Sequence, residues 1–117
     1  MNLKAYLYPK CSTCRDALKW LRARGHEVES VDIFETPPSK DRLKKLLKLS
    51  GLDIRKFLNT SGEVYREMGL KDKVPHMTED ELLELLSSNG RLIKRPIVTD
   101  GKKVTVGFKE DTYVEVW

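Results

Sequence analysis

Only two cysteines, Cys11 and Cys14, and two histidines, His26 and His76, occur among the 117 residues of this chain. Two cysteines cannot build the disulfide framework of a stapled domain. They also form at most half of a zinc site, and the two histidines are isolated and fall on different elements, so no metal is expected. Long apolar runs are missing too. None approaches the ~18 residues of a membrane span, and the opening MNLKAYLYPK lacks the apolar stretch of an export signal. There is no Gly-rich phosphate loop, no paired-carboxylate arrangement, no internal repeat and no low-complexity linker. Nor do charges of one sign gather: 22 Lys+Arg and 18 Asp+Glu are interleaved, with a net charge of +4. That balance is too weak for direct nucleic-acid binding and suits a small anionic ligand or an acidic protein partner. The expectation is a cytoplasmic protein without membrane contact.

What is present is enough for one core. Hydrophobic residues make up 39% and charged residues 34%, and the length fits a single domain over residues 1–117. Leu3 to Tyr8 is rich in β-formers and is halted by Pro9, which predicts a strand running into a loop. From Thr13 to Arg24, Ala17, Leu18, Trp20, Leu21 and Ala23 recur at helical spacing before Gly25, and the β-branched content of HEVESVDIF then predicts a second strand. So tight a strand-helix-strand run is a right-handed parallel βαβ unit. A helical insert follows over about residues 37–90. Its marks are Pro37 and Pro38 at a helix entrance, Leu43, Leu46 and Leu47 on one face, and Gly51 at the exit. Short helices are expected at Ile54 to Leu58 and Glu63 to Met68. A further helix opens with a Thr78–Glu81 capping box and closes at Asn89-Gly90. RPIVTDGKKVTVGF then reads as a β-hairpin hinged on Asp100-Gly101, followed by a last helix from Lys109 to Val114. The fold class is therefore α/β: a four-stranded mixed sheet in thioredoxin-like order, with βαβ, helical insert, hairpin and C-terminal helix.

Cys11 falls in the loop after the first strand and Cys14 in the first turn of the helix. The free N–H groups and dipole of that helix start favour a thiolate at Cys11, and Lys10 and Arg15 add positive charge nearby. Such a sulfur is a nucleophile, and the same N–H groups, with Ser12 and Thr13 in a polar loop, suit an oxyanion. Three-residue spacing lets Cys14 resolve a mixed disulfide formed at Cys11. Inert packing of two small thiols is the competing reading. A second feature is Arg95 directly before Pro96 at the start of a strand, as in a cis-proline loop. In a thioredoxin-like sheet this loop faces the cysteine loop, and Arg95 would turn its fork of donors toward an anion above Cys11. An ordinary trans-proline turn beside a solvated arginine is the alternative.

YPKCSTCRDALKWL, FETPPSKDRLKKLL, LNTSGEVYREMGL and LIKRPIVTDGKKVTVGF, in that order, resemble the arsenate reductase (ArsC) family, closest to its Spx-, YffB- and YusI-like branch. The resemblance implies a thioredoxin-like fold, a nucleophile at Cys11, and an anion-binding arginine at Arg95 beside a cis-proline at Pro96. Reductases of this family surround the oxyanion with three arginines, and here Asn59 and Gly107 stand where two are expected. It is open whether Arg66 or Lys103 takes their place. Losing two charge-assisted contacts, each worth ~1.5–3 kcal/mol, weakens the case for efficient arsenate turnover. The reading that follows is a thiol-disulfide oxidoreductase acting on an arsenate-like oxyanion or a disulfide. It binds no cofactor and is re-reduced by an external thiol: thioredoxin, glutaredoxin or a low-molecular-weight thiol. The alternative is an Spx-like redox-switched regulator whose partner is the RNA polymerase α subunit.

Overall fold

The computed structural model describes residues 2–117. Strand β1 (Asn2–Leu7) is central, and its period-two alternation serves two cores at once. Leu3, Ala5 and Leu7 point to one face and Tyr6 to the other. Pro9, which has no N–H to continue a ladder, lies in the loop that leads to helix α1 (Ser12–Ala23). That helix buries Cys14, Ala17 and Leu21, one helical stripe, against Leu3, Ala5 and Leu7. Gly25 turns the chain back at φ +88. Strand β2 (Glu27–Asp32) then pairs parallel to β1, with Asn2 opposite Glu27 and Leu7 opposite Asp32. It is an edge strand, and its exposed Glu27 and Glu29 discourage pairing with another chain.

The helical insert begins with α2 (Lys40–Ser50). Its N-cap is Ser39, whose hydroxyl accepts the Arg42 N–H at 3.1 Å. Pro37 and Pro38 lie before that cap and not in the first turn. Gly51 ends the helix at φ +68. A 3₁₀ turn (Ile54–Phe57) follows, and then α3 (Glu63–Glu67), α4 (Leu70–Lys73), a second 3₁₀ turn (Val74–His76) and α5 (Glu79–Ser88). The sequence pattern shows α3 but not α4 or the turn after it, because segments this short display at most about one period of burial. At the start of α5 the capping box is complete: Glu81 N–H donates to the Thr78 hydroxyl at 3.1 Å, and Thr78 N–H to the Glu81 carboxylate at 2.9 Å. A third 3₁₀ turn (Gly90–Leu92) leads back to the sheet.

Strands β3 (Ile97–Thr99) and β4 (Val104–Val106) form the antiparallel hairpin, and α6 (Glu110–Val116) follows. The hairpin loop has four residues, not two, because Asp100 accepts the N–H groups of both Lys102 and Lys103 at 2.9 Å and so builds its own turn. The sheet order is β2-β1-β3-β4, with only β1 and β2 parallel. Val98 joins Leu3, Ala5, Leu7, Cys14 and Tyr113 in the smaller core under α1 and α6. Ile97 joins Tyr6, Leu43, Leu46, Phe57 and Leu86 in the larger core under the insert. Among the described residues, no helix is long and apolar enough to cross a membrane.

The insert is tied to the sheet by backbone. Asn59 N–H donates to Leu92 C=O at 2.8 Å, and Lys94 N–H to Phe57 C=O at 2.7 Å, around a Leu58–Ile93 bridge. Gly90 sits so close to the Ile33 carbonyl that a β-carbon would collide with that oxygen. Backbone cannot yield as a flexible side chain can. Gly90→Ala is expected to cost about 3 kcal/mol, the upper end for overpacking, seen as a clear drop in Tm; an unchanged Tm would show that the approach is loose. Thr78→Ala, which removes one half of the capping box, is expected to cost about 1 kcal/mol in a denaturant titration.

Candidate redox site

Cys11 is the N-cap of α1. Its N–H donates to Tyr8 C=O and its own C=O accepts the Arg15 N–H, both at 3.0 Å. The backbone thus enters the helix at the cysteine itself, so that the first free N–H groups of α1 surround a half-buried sulfur. Cys14, one turn on, is only 1% exposed and packs into the smaller core. The two cysteines are not joined to each other in this structure.

The two sulfurs are driven in opposite directions. Burial raises the Cys11 thiol, but the Cys14 N–H, the Cys14 thiol, the positive charge of Arg95 and the Thr13 N–H outweigh it, and the net shift is downward. Cys14 is pushed up to about 12, first by burial and then by the thiol and charge of Cys11, against the Tyr8 backbone and Arg95. One sulfur is thereby biased toward the thiolate and the other toward the protonated thiol.

Arg95 is brought opposite by β3, which pairs antiparallel to the strand that carries the cysteine loop. The Arg95–Pro96 peptide is cis, and Pro96 is buried with its C=O accepting the Gly107 N–H at 2.9 Å. The Arg95 guanidinium lies 4.9 Å over the Phe34 ring and donates from Nη1 to Ile93 C=O at 3.2 Å and Arg91 C=O at 3.4 Å. Its Nε is buried and has no protein partner. Among the described residues, neutral groups orient this cation and no carboxylate is paired with it, so its charge remains available to the sulfur.

Cys11, Thr13, Asn59, Lys94 and Arg95 line one cavity of about 300 Å³. Cys14 lies behind it and Pro96 supports Arg95 from the β3 side. Ser12, the first residue of α1, is exposed and does not line the cavity. Neither Arg66 nor Lys103 lines it. Lys103 instead donates to Val116 C=O and lies over the Trp117 ring. Four further residues shape the site without belonging to a motif. Tyr8 and Phe34 stack at 3.9 Å and 14°, forming the aromatic plate on which Arg95 and Arg91 lie. Lys94 enters the cavity beside Arg95; its position next to the Arg-Pro pair was the one available hint. Buried Tyr113, its hydroxyl raised in pKa by burial, donates to Gly107 C=O at 3.0 Å and fixes the far rim. Among the described residues, no group of three or more His, Cys, Asp or Glu side chains is arranged to hold a metal ion.

Alkylation rate follows the thiolate fraction, so a lowered pKa moves its inflection to lower pH. With iodoacetamide and intact-mass detection, Cys11 is expected to react with an inflection below the ordinary thiol value while Cys14 stays unmodified through the neutral range. Arg95→Gln should move the inflection upward. An inflection at or above the ordinary value in the unmodified protein would contradict this electrostatic account.

The ArsC family profile matches residues 6–116. The chain is 61% identical to YusI of Bacillus subtilis over 117 residues, covering 100% of this chain and 99% of that protein. It is 31% identical to the global transcriptional regulator Spx of Streptococcus mutans, over 91% of this chain and 76% of that protein. With an arsenate reductase of Escherichia coli the identity is 39%, over 83% of this chain and 67% of that protein. Among solved structures, an ArsC family related protein from Bacteroides fragilis superimposes with a TM-score of 0.94 at 43% identity, covering 100% of this chain and 98% of that one. The fold is thioredoxin-like, and with agreement of this extent in both sequence and backbone the chain belongs to the ArsC family.

Proposed function

We propose that the protein is a thiol-disulfide oxidoreductase in which Cys11 attacks and Cys14 resolves. The observation that carries this reading is the opposite bias of the two thiols: Cys11 lowered at a helix N-cap facing Arg95, and Cys14 raised to about 12 one turn behind it. The Cys11 thiolate bonds to one sulfur of a disulfide, and the other half leaves as a thiolate with the electron pair. Cys11 is then neutral. The negative charge that held the Cys14 proton is gone, while Arg95 still favours ionisation of Cys14. Cys14 gives its proton to solvent and displaces the remaining half from Cys11, leaving a Cys11–Cys14 disulfide. An external dithiol of the thioredoxin or glutaredoxin class, or two low-molecular-weight thiols, returns both sulfurs to the reduced state in the cytoplasm.

Arsenate is a poorer fit. Of the oxyanion's expected arginines only Arg95 is present, since Asn59 and Gly107 occupy the other positions, and each missing charge-assisted contact costs about 1.5–3 kcal/mol. A second reading rests on the likeness to Spx over nearly the whole chain. In it the same disulfide is a switch that alters binding to the RNA polymerase α subunit.

With a small disulfide as substrate and thioredoxin or glutaredoxin as reductant, Cys11→Ser is expected to lose all turnover. Cys14→Ser should instead stop at a mixed disulfide whose added mass is visible in the intact protein. Full activity of Cys11→Ser would remove the oxidoreductase reading. Capture of the α subunit by only one redox form, without turnover in either reductant system, would favour the regulator.

A further inference from the structure

The cavity at Cys11 does not end at Arg95. A second cavity, of about 340 Å³, runs along edge strand β4 and α6 as far as Ser50 and Lys56. Lys94, Val106, Gly107 and Lys109 line both, so the two cavities adjoin along one groove of the surface, with Cys11 at its end. Four cations border this groove: Lys56, Lys94, Arg95 and Lys109. No carboxylate does, in a chain that has 18 of them. Among the described residues, none of the three lysines has an acidic side chain within 4.0 Å. On an ordinary solvated face of this protein, acids and bases alternate.

Gly107 shows why Lys94 is there. Its φ of +83 disfavours any side chain, and its backbone is held by the Tyr113 hydroxyl and the Pro96 carbonyl. A β-carbon placed on it would lie 3.2 Å from Cε and 3.9 Å from Nζ of Lys94. The lysine therefore crosses the bare face of Gly107 and fills the space that a side chain at 107 would need. Positive charge reaches the Cys11 cavity as an ammonium on a flexible stem, not as a second guanidinium fork. A fork clasps one compact oxyanion through paired bonds. Separate ammonium groups strung along a groove match anionic groups spread along a longer molecule.

We propose that this groove binds a disulfide carrying carboxylates, with its reacting sulfur at Cys11 and its carboxylates against Lys94 and Lys109, and with Lys56 at the far end. The proposal rests on the reading of Cys11 as the attacking thiol and narrows the substrate of that reaction. Cys11 forms the new S–S bond as the substrate's own S–S bond breaks; the distal half departs as a thiolate, and Cys14 later releases the proximal half.

The test compares the reaction rate of the reduced protein with dithiobis(nitrobenzoate), which carries two carboxylates, and with uncharged dithiodipyridine near neutral pH, by absorbance of the released thiols. The ratio of the two rates cancels changes in Cys11 nucleophilicity. Lys94→Met and Lys109→Met are each expected to lower the anionic-to-neutral ratio about tenfold, while Lys71→Met, an exposed position lining neither cavity, keeps the wild-type ratio. Added salt should lower the wild-type ratio steeply and that of Lys94→Met or Lys109→Met less steeply. An unchanged ratio in both groove variants, or an equal drop in Lys71→Met, overturns the carboxylate-binding groove and leaves the oxidoreductase reading standing. Failure of the wild-type protein to react with either reagent overturns both.

Discussion

Ionisation of the Cys11 sulfur is favoured from two sides by parts of the chain far apart in sequence. From one side come the N–H groups of the first turn of α1, and from the other the Arg95 guanidinium. Burial alone works against that charge, and the N–H dipoles with the cation reverse it. Arg95 is kept in place by the face of Phe34 and by two backbone carbonyls, so it is oriented without being neutralised. A carboxylate partner would have fixed the side chain equally well but would have cancelled the field at the sulfur.

The sheet turns this local requirement into a fold. β1 delivers the cysteine loop and β3, lying beside it, delivers the cis-proline loop. Because β3 runs antiparallel to β1, with Tyr6 opposite Ile97, its start lies beside the end of β1 and both loops share one end of the sheet. Cys14 belongs to the smaller core, which raises its pKa, while Cys11 stays at the boundary where dipoles and charge act on it. Burial thus separates the roles of two chemically identical side chains placed three residues apart.

The rim of the site shows how composition can shift selectivity on a preserved frame. With no side chain at 107, Lys94 fills that space from the neighbouring loop, and the positive charge it brings is pointlike and not forked. The groove continuing toward Lys56 then gives the site length as well as charge. These features separate the recognition of an extended anion from that of a single tetrahedral one.

Much of this was legible in residues that act on their immediate neighbours. A Cys-x-x-Cys at a helix start, the Thr78–Glu81 capping box, helix stops at Gly25 and Gly51, and turn chemistry at Asp100-Gly101 all work through backbone groups within four residues, and such order is written in the sequence itself. Lys94 over Gly107, Phe34 under Arg95 and Gly90 against Ile33 join residues 13, 61 and 57 positions apart, and no periodicity encodes them. The sequence by itself determined the order of the strands and the longer helices, and the placing of the two cysteines at the start of α1. Only the tertiary structure decided which cations face the sulfur, because electrostatic fields depend on distance through space and not on separation along the chain.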